Sequence, residues 1–144
     1  MTPFERWSVW LTSAVSVGTG VVYLWMKYFM ETDEPWAVVN HPWQPWLLKA
    51  HILTAPLLLL VLGAVLFNHV PYHLREEGRP RLLTGLVVLA GAAAMILSGY
   101  LVQVLPSERA IEIAALAHIV TSFLFVAALV AHSVRFGSTE RATT

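Results

Sequence analysis

The chain has 144 residues, is 57% hydrophobic and only 12% charged, and carries zero net charge with a mean hydropathy of +0.64. Soluble domains hold roughly 25% charged residues, so a water-solvated globule is excluded, and the neutral balance argues against nucleic acid as a partner. There is no cysteine, which rules out disulfides, cysteine-held iron–sulfur clusters and thiolate metal ligation.

The spacing of charge locates the hydrophobic segments. Twenty uncharged residues separate Arg6 from Lys27, twenty-five separate Lys49 from Arg75, twenty-six separate Arg81 from Glu108, and twenty-two separate Glu112 from Arg135. About twenty apolar residues cross a hydrocarbon core of roughly 30 Å. Four membrane spans are therefore predicted near 7–29, 45–69, 82–105 and 109–135. The first is long and aromatic (Trp7, Trp10, Tyr23, Trp25), and no small-residue cleavage site follows it. It reads as a retained helix rather than a signal peptide.

The first connection, ETDEPWAVVNHPWQPW, holds Pro35, Pro42 and Pro45, the tryptophans 36, 43 and 46, and His41. Prolines prevent a regular helix there. The tryptophans fit a belt at the membrane interface, or a lid in which His41 handles protons. The other connections are short, and a polar tail runs from Gly137 to Thr144. No second domain and no internal repeat stands out. The expected fold is all-α: one transmembrane domain over 1–144, a four-helix bundle running up-down-up-down.

Lysine and arginine set the orientation. Arg6, Arg75, Arg79, Arg81, Arg135 and Arg141 fall on one side, and Lys27, Lys49 and Arg109 on the other. The positive-inside rule then puts both termini in the cytoplasm of a multi-pass protein of a bacterial inner membrane.

Four histidines fall within these spans. An imidazole in hydrocarbon needs a partner, and histidine is the commonest protein ligand for metals. His51 and His69 are eighteen residues apart, which is five whole helical turns at about 100° per residue. His118 and His132 are fourteen apart, within about 40° of one face. The second and fourth spans run parallel in this topology. His51 would then meet His118 at the outer depth and His69 would meet His132 at the inner depth. Each pair has the two nitrogens needed to ligate a haem iron axially. Without cysteine, such haems are of the non-covalent b type.

The axial separations, roughly 27 Å and roughly 21 Å at about 1.5 Å per residue, do not match. Pro56 is a candidate kink that absorbs the difference, and His73 is the alternative inner ligand. Gly85 and Gly99 in the third span are also fourteen apart and should lie level with the inner and outer pairs. Each would let a flat macrocycle approach the backbone, or serve small-residue helix packing together with Gly91, Ala92 and Ser98. Gly18 and Gly20 raise the same question in the first span. Lys49 and Arg109 outside, and Arg79, Arg81 and Arg135 inside, are candidate partners for haem propionates, or ordinary charged flanks.

With these residues in place the chain resembles the small di-haem membrane b-type cytochromes. These include bacterial cytochrome b-561 proteins of the superoxide oxidase type, the cytochrome b subunits of hydrogenases and formate dehydrogenases, and the four-helix core of respiratory cytochrome b. The likeness covers about residues 7–135 and rests on pattern. In respiratory cytochrome b the second and fourth helices supply all four ligands while the first and third offer glycines. The resemblance thus implies His51, His69, His118 and His132 as axial ligands and Gly85 and Gly99 as haem contacts. The b-561 pattern places a ligand on the first helix, which has no histidine here. The stretch HPWQPW ahead of His51 is also similar to a group of predicted haem-binding bacterial membrane proteins.

The leading functional expectation is an electron carrier that passes electrons across the lipid bilayer between the quinone pool and a redox partner. An alternative makes it an enzyme, a quinone-linked oxidoreductase of superoxide-oxidase type, with His41, Glu31, Asp33 and Glu34 near the outer haem. Another is metal or proton transport using the histidines with Met26, Met30 and Met95. Transport pathways normally add buried carboxylates, and spans two to four have none at mid-depth. A haem-bearing anchor for a soluble catalytic subunit is a further possibility.

Overall fold

The structure is a computed structural model that describes residues 2–34, 36–68, 71 and 79–137. Among these residues all regular structure is helical, in four long helices. They are α1 (Pro3–Tyr28), α2 (Gln44–Asn68), α3 (Arg79–Val104) and α4 (Glu108–Gly137). All four are long and apolar enough to cross a membrane. The protein is thus of the multi-pass membrane type, with apolar side chains such as Leu53, Leu60, Leu97 and Leu124 exposed along its helices. The chain divides into two compact units, Met1–Tyr72 and His73–Thr144, each built on one helical hairpin.

In the first hairpin α1 begins at Pro3, four residues ahead of the charge-free segment. The cause is local. Thr2 caps the helix: its hydroxyl accepts from the Glu5 amide, and the Glu5 carboxylate accepts from the Thr2 amide. Proline at the first helical position needs no amide proton. Antiparallel pairing with α2 is fixed at three levels. Asn68 donates to the Glu5 carboxylate at 3.0 Å, Ser16 bonds Thr54 at 3.2 Å, and the Asn40 side chain donates to the Lys27 carbonyl at 2.9 Å. The Asn40 amide also donates to the Gln44 side chain, and Gln44 is buried. This asparagine therefore ties the end of α1 to the start of α2. The packed face of α1 is the stripe Val9, Ser13 and Ser16, one turn apart each time. α2 continues through Pro56 to Asn68, so the proline does not break it.

In the second hairpin only residues 105–107 join α3 to α4, which forces antiparallel neighbours. The Leu105 amide still donates to the Leu101 carbonyl, and the Ser107 carbonyl already accepts from the Ile111 amide. The two helices close tightly at Gly91, where an added Cβ would lie 3.4 Å from the Phe125 Cα. Phe125 is 1% exposed and Ala92 5%. A small residue against a buried aromatic is the packing that holds two helices together in lipid.

Candidate functional site

Several hydroxyl-bearing residues sit inside these apolar helices at little cost because they donate back to their own helix, whereas the buried Ser13 hydroxyl has no partner among the described residues and Ser16 donates across to Thr54. Thr19 bonds the Val15 carbonyl at 2.8 Å, Ser98 the Ala94 carbonyl at 2.7 Å and Thr121 the Ala117 carbonyl at 2.7 Å. Their oxygens then remain as acceptors toward the neighbouring helix.

His51 uses such a surface. Its Nδ1 lies 2.9 Å from the Ser16 carbonyl and 3.3 Å from the Thr19 hydroxyl on α1. The ring packs where Gly20 has no side chain: a Cβ there would sit 3.0 Å from Cε1 and 3.2 Å from Nδ1. On its own helix, Thr54 bonds back to the His51 carbonyl at 2.9 Å.

His118 repeats the arrangement in the second hairpin. Its Nδ1 is 2.9 Å from the Met95 carbonyl and 3.4 Å from the Ser98 hydroxyl on α3. A Cβ on Gly99 would lie 3.0 Å from Cε1 and 3.2 Å from Nδ1, and Thr121 contacts the His118 carbonyl at 3.2 Å. His132 has a looser version, with Nδ1 2.9 Å from the Thr84 hydroxyl and a Cβ on Gly85 at 3.7 Å from Cε1, an ordinary contact.

The chemistry of the partners fixes the proton. A main-chain carbonyl only accepts, and the Thr19 and Ser98 protons are committed to Val15 and Ala94. Nδ1 of His51 and of His118 therefore carries the hydrogen, which places the lone pair of the neutral ring on Nε2. A fixed Nδ1–H···O=C bond is the outer support by which proteins orient a histidine that ligates through Nε2.

The correspondence between hairpins is systematic, although no repeat stood out in the sequence. Adding 67 takes His51, Thr54 and Leu58 to His118, Thr121 and Phe125; adding 79 takes Ser16, Thr19 and Gly20 to Met95, Ser98 and Gly99. Leu58 and Phe125 are both buried. The sequence signal is short: HILT against HIVT, and TG against SG.

Of the predicted site residues, the structure brings Gly99 to His118 and Gly85 to His132, as their matched spacings require. It adds Gly20 at His51, while Gly18 has nothing within 4 Å. At Gly20 and Gly99 the space is filled by the imidazole itself, where a macrocycle face was expected. His69 and His73 lie outside the described residues. Lys49 and Arg109 are exposed near the helix ends that bear His51 and His118, and Lys49 Nζ lies 4.7 Å above the Trp46 ring. Arg135 is exposed one turn beyond His132. Nδ1 of His41 accepts from the Trp43 amide at 3.1 Å and so belongs to the loop's own turn. The hydroxyls of Thr19, Thr84 and Ser98 are histidine contacts that sequence reasoning missed; each immediately precedes a glycine that faces a histidine.

Ser98→Ala isolates the hydroxyl's share. It leaves the Met95 carbonyl in place, and interhelical side-chain bonds in membranes average about 0.6 kcal/mol. A loss of that order in detergent unfolding, with Nδ1 still anchored, is the expected result.

Among the described residues no cluster of three or more histidines or carboxylates could hold a metal ion. Compared with known protein families, curated proteins and solved structures, the chain matches none.

Proposed function

We propose that this multi-pass membrane protein is a di-haem b-type cytochrome that carries electrons across the bilayer between the quinone pool and a redox partner. The observation that carries the reading is the pair of imidazoles, His51 and His118, each with Nδ1–H held by a carbonyl of the neighbouring helix over a glycine. The donor set suits haem iron: His51 and His118 each offer a ring nitrogen already oriented, in apolar surroundings that favour a porphyrin. In this proposal His51 and His118 clamp one haem, and His132 holds the second with His69 as its partner. Haem held by these residues would supply one-electron transfer.

The chain's own residues do the rest. The Ser16 and Met95 carbonyls raise the basicity of the ligating nitrogens. Gly20 and Gly99 let the rings reach those carbonyls. Lys49, Arg109 and Arg135 stand near the helix ends, where propionates meet water. The arginine asymmetry supports both termini facing the cytoplasm of a bacterial inner membrane. The quinone-enzyme and transport readings gain less. His41 spends Nδ1 on its loop, and Met95 contributes a carbonyl rather than its sulfur.

The test is a dithionite-reduced-minus-oxidised spectrum of the purified protein with a pyridine haemochrome count. Two haem b per chain is the expected result. A colourless protein, correctly inserted and supplied with porphyrin, would overturn the proposal.

A further inference from the structure

α1 has 26 residues, about 39 Å at 1.5 Å per residue, against a hydrocarbon core of roughly 30 Å. Its last turn, which carries Lys27, therefore stands in the headgroup layer. Lys27 and Lys49 both hold their ammonium groups over aromatic rings at this end of the first hairpin. Nζ of Lys27 lies 5.4 Å from the Tyr28 centroid, and Nζ of Lys49 lies 4.7 Å from that of Trp46. Lysine and aromatic side chains collect where hydrocarbon gives way to headgroups.

The loop between α1 and α2 is pinned at that depth. The Asn40 side chain donates to the Lys27 carbonyl at 2.9 Å, and the Asn40 amide donates to the Gln44 side chain at 3.1 Å. The middle of the loop is thus held level with the last turn of α1. Val38 is two residues from this tie, Trp43 three and Trp36 four, so their backbones lie within about 7, 11 and 14 Å of it at most. Trp43 is fixed further, because its carbonyl accepts from the Leu47 amide at the start of α2. All three side chains are exposed, Val38 by 98% and Trp36 by 93%. Phe29, stacked on Trp25 at 4.9 Å, and Trp46 are exposed as well. These groups continue the lipid-facing surface of the two helices past their ends. Glu31, Asp33 and Glu34, in the first half of the loop, are exposed too.

We infer that this loop is a membrane-surface anchor: Trp36, Val38 and Trp43 lie among phospholipid headgroups and the first acyl carbons, while Glu31, Asp33 and Glu34 stay in water. A large apolar patch left in water is costly, whereas the indole, apolar with one polar N–H, is suited to the interface. Charge is not the holding force, since residues 27–49 carry two lysines against three carboxylates. A neutral lipid should therefore suffice. The inference does not depend on what the histidines bind.

The chain has no cysteine, so a thiol placed in the loop is unique. The experiment labels full-length Val38→Cys and Asp33→Cys proteins with a small fluorophore in bilayer discs of phosphatidylcholine, where both faces meet the buffer. Quenching by iodide reports water, and quenching by lipid brominated near the headgroup end of its acyl chains reports the interface. At position 38 the bromolipid should quench, and iodide should quench about tenfold less than at position 33, the preference that burial of one large apolar side chain supplies. Adding Trp36→Ser and Trp43→Ser to the Val38→Cys protein should raise iodide quenching toward the value at position 33. Equal iodide quenching at the two positions would place the loop in water. Protection of position 38 from both quenchers would mean that protein covers it, as a lid does. Protection that survives loss of both tryptophans would deny them the anchoring role. Each of these three results would overturn the inference.

Discussion

Under the proposed reading the unaltered chain is expected to hold two haems and His118→Ala only one, and His51→Ala is expected to lose the same one. The reason is that these two residues are the repeat-related members of the hairpins, with the same tautomer and the same support on the neighbouring helix. Neither can be replaced by a nearby nitrogen, because no other histidine lies within three turns of either on its own helix. An iron with one axial ligand removed also exposes a coordination position, so any haem retained would be five-coordinate or water-ligated. His132→Ala should lose the other haem and spare the first. Haem per chain and the spectral step that disappears are the readouts. A His118→Ala protein that keeps two six-coordinate haems would show that the pairing is wrong.

Gly99→Ala and Gly20→Ala should weaken the same site nearly as much without touching a ligand. In both, the new Cβ would lie 3.0 Å from Cε1 and 3.2 Å from Nδ1 of the histidine. A ring on a short side chain packed between two helices cannot swing away freely. Either Nδ1 leaves its carbonyl or the helices part, and overpacking of this kind costs about 1–3 kcal/mol. At 1.4 kcal/mol per tenfold, haem affinity should fall by roughly five- to 150-fold. The controls are built into the chain. Gly18→Ala and Gly63→Ala meet nothing within 4 Å and should behave as the unaltered protein, while Gly85→Ala, at 3.7 Å from His132, should lose little. Haem retention during dilution in detergent measures the series, and equal losses at Gly18 and Gly99 would contradict the account.

Much of this was legible in the sequence because hydrocarbon imposes few solutions. Uncharged runs bounded by Arg6, Lys27, Lys49, Glu108 and Arg135 placed four helices to within a few residues. The error at the start of α1 came from treating Glu5 and Arg6 as a flank, when Thr2, Pro3 and Glu5 together form a cap that starts the helix earlier. The fourteen-residue spacing of Gly85 and Gly99 against His132 and His118 was enough to pair them, since antiparallel neighbours joined by three residues have little freedom of register. Gly20 was harder, because the long proline-rich loop leaves the offset of α1 and α2 open until Asn40 and Asn68 fix it.

The hydroxyls escaped for a different reason. Threonine and serine in a membrane helix ordinarily satisfy their own backbone, so Thr19, Thr84 and Ser98 read as neutral filler until their oxygens are seen beside Nδ1. The repeat escaped because only positions at the helix–helix contact keep it, and lipid-facing positions drift among apolar residues.

The central claim is that two imidazoles with protons fixed on Nδ1 present Nε2 to one iron. The electron paramagnetic resonance spectrum of the oxidised protein, taken together with that of His118→Ala, addresses it most directly. The account predicts wholly low-spin ferric signals of bis-imidazole type in the unaltered chain, with one of them lost or turned high-spin in the variant. A high-spin unaltered protein, or a variant whose low-spin signals are unchanged, would contradict it.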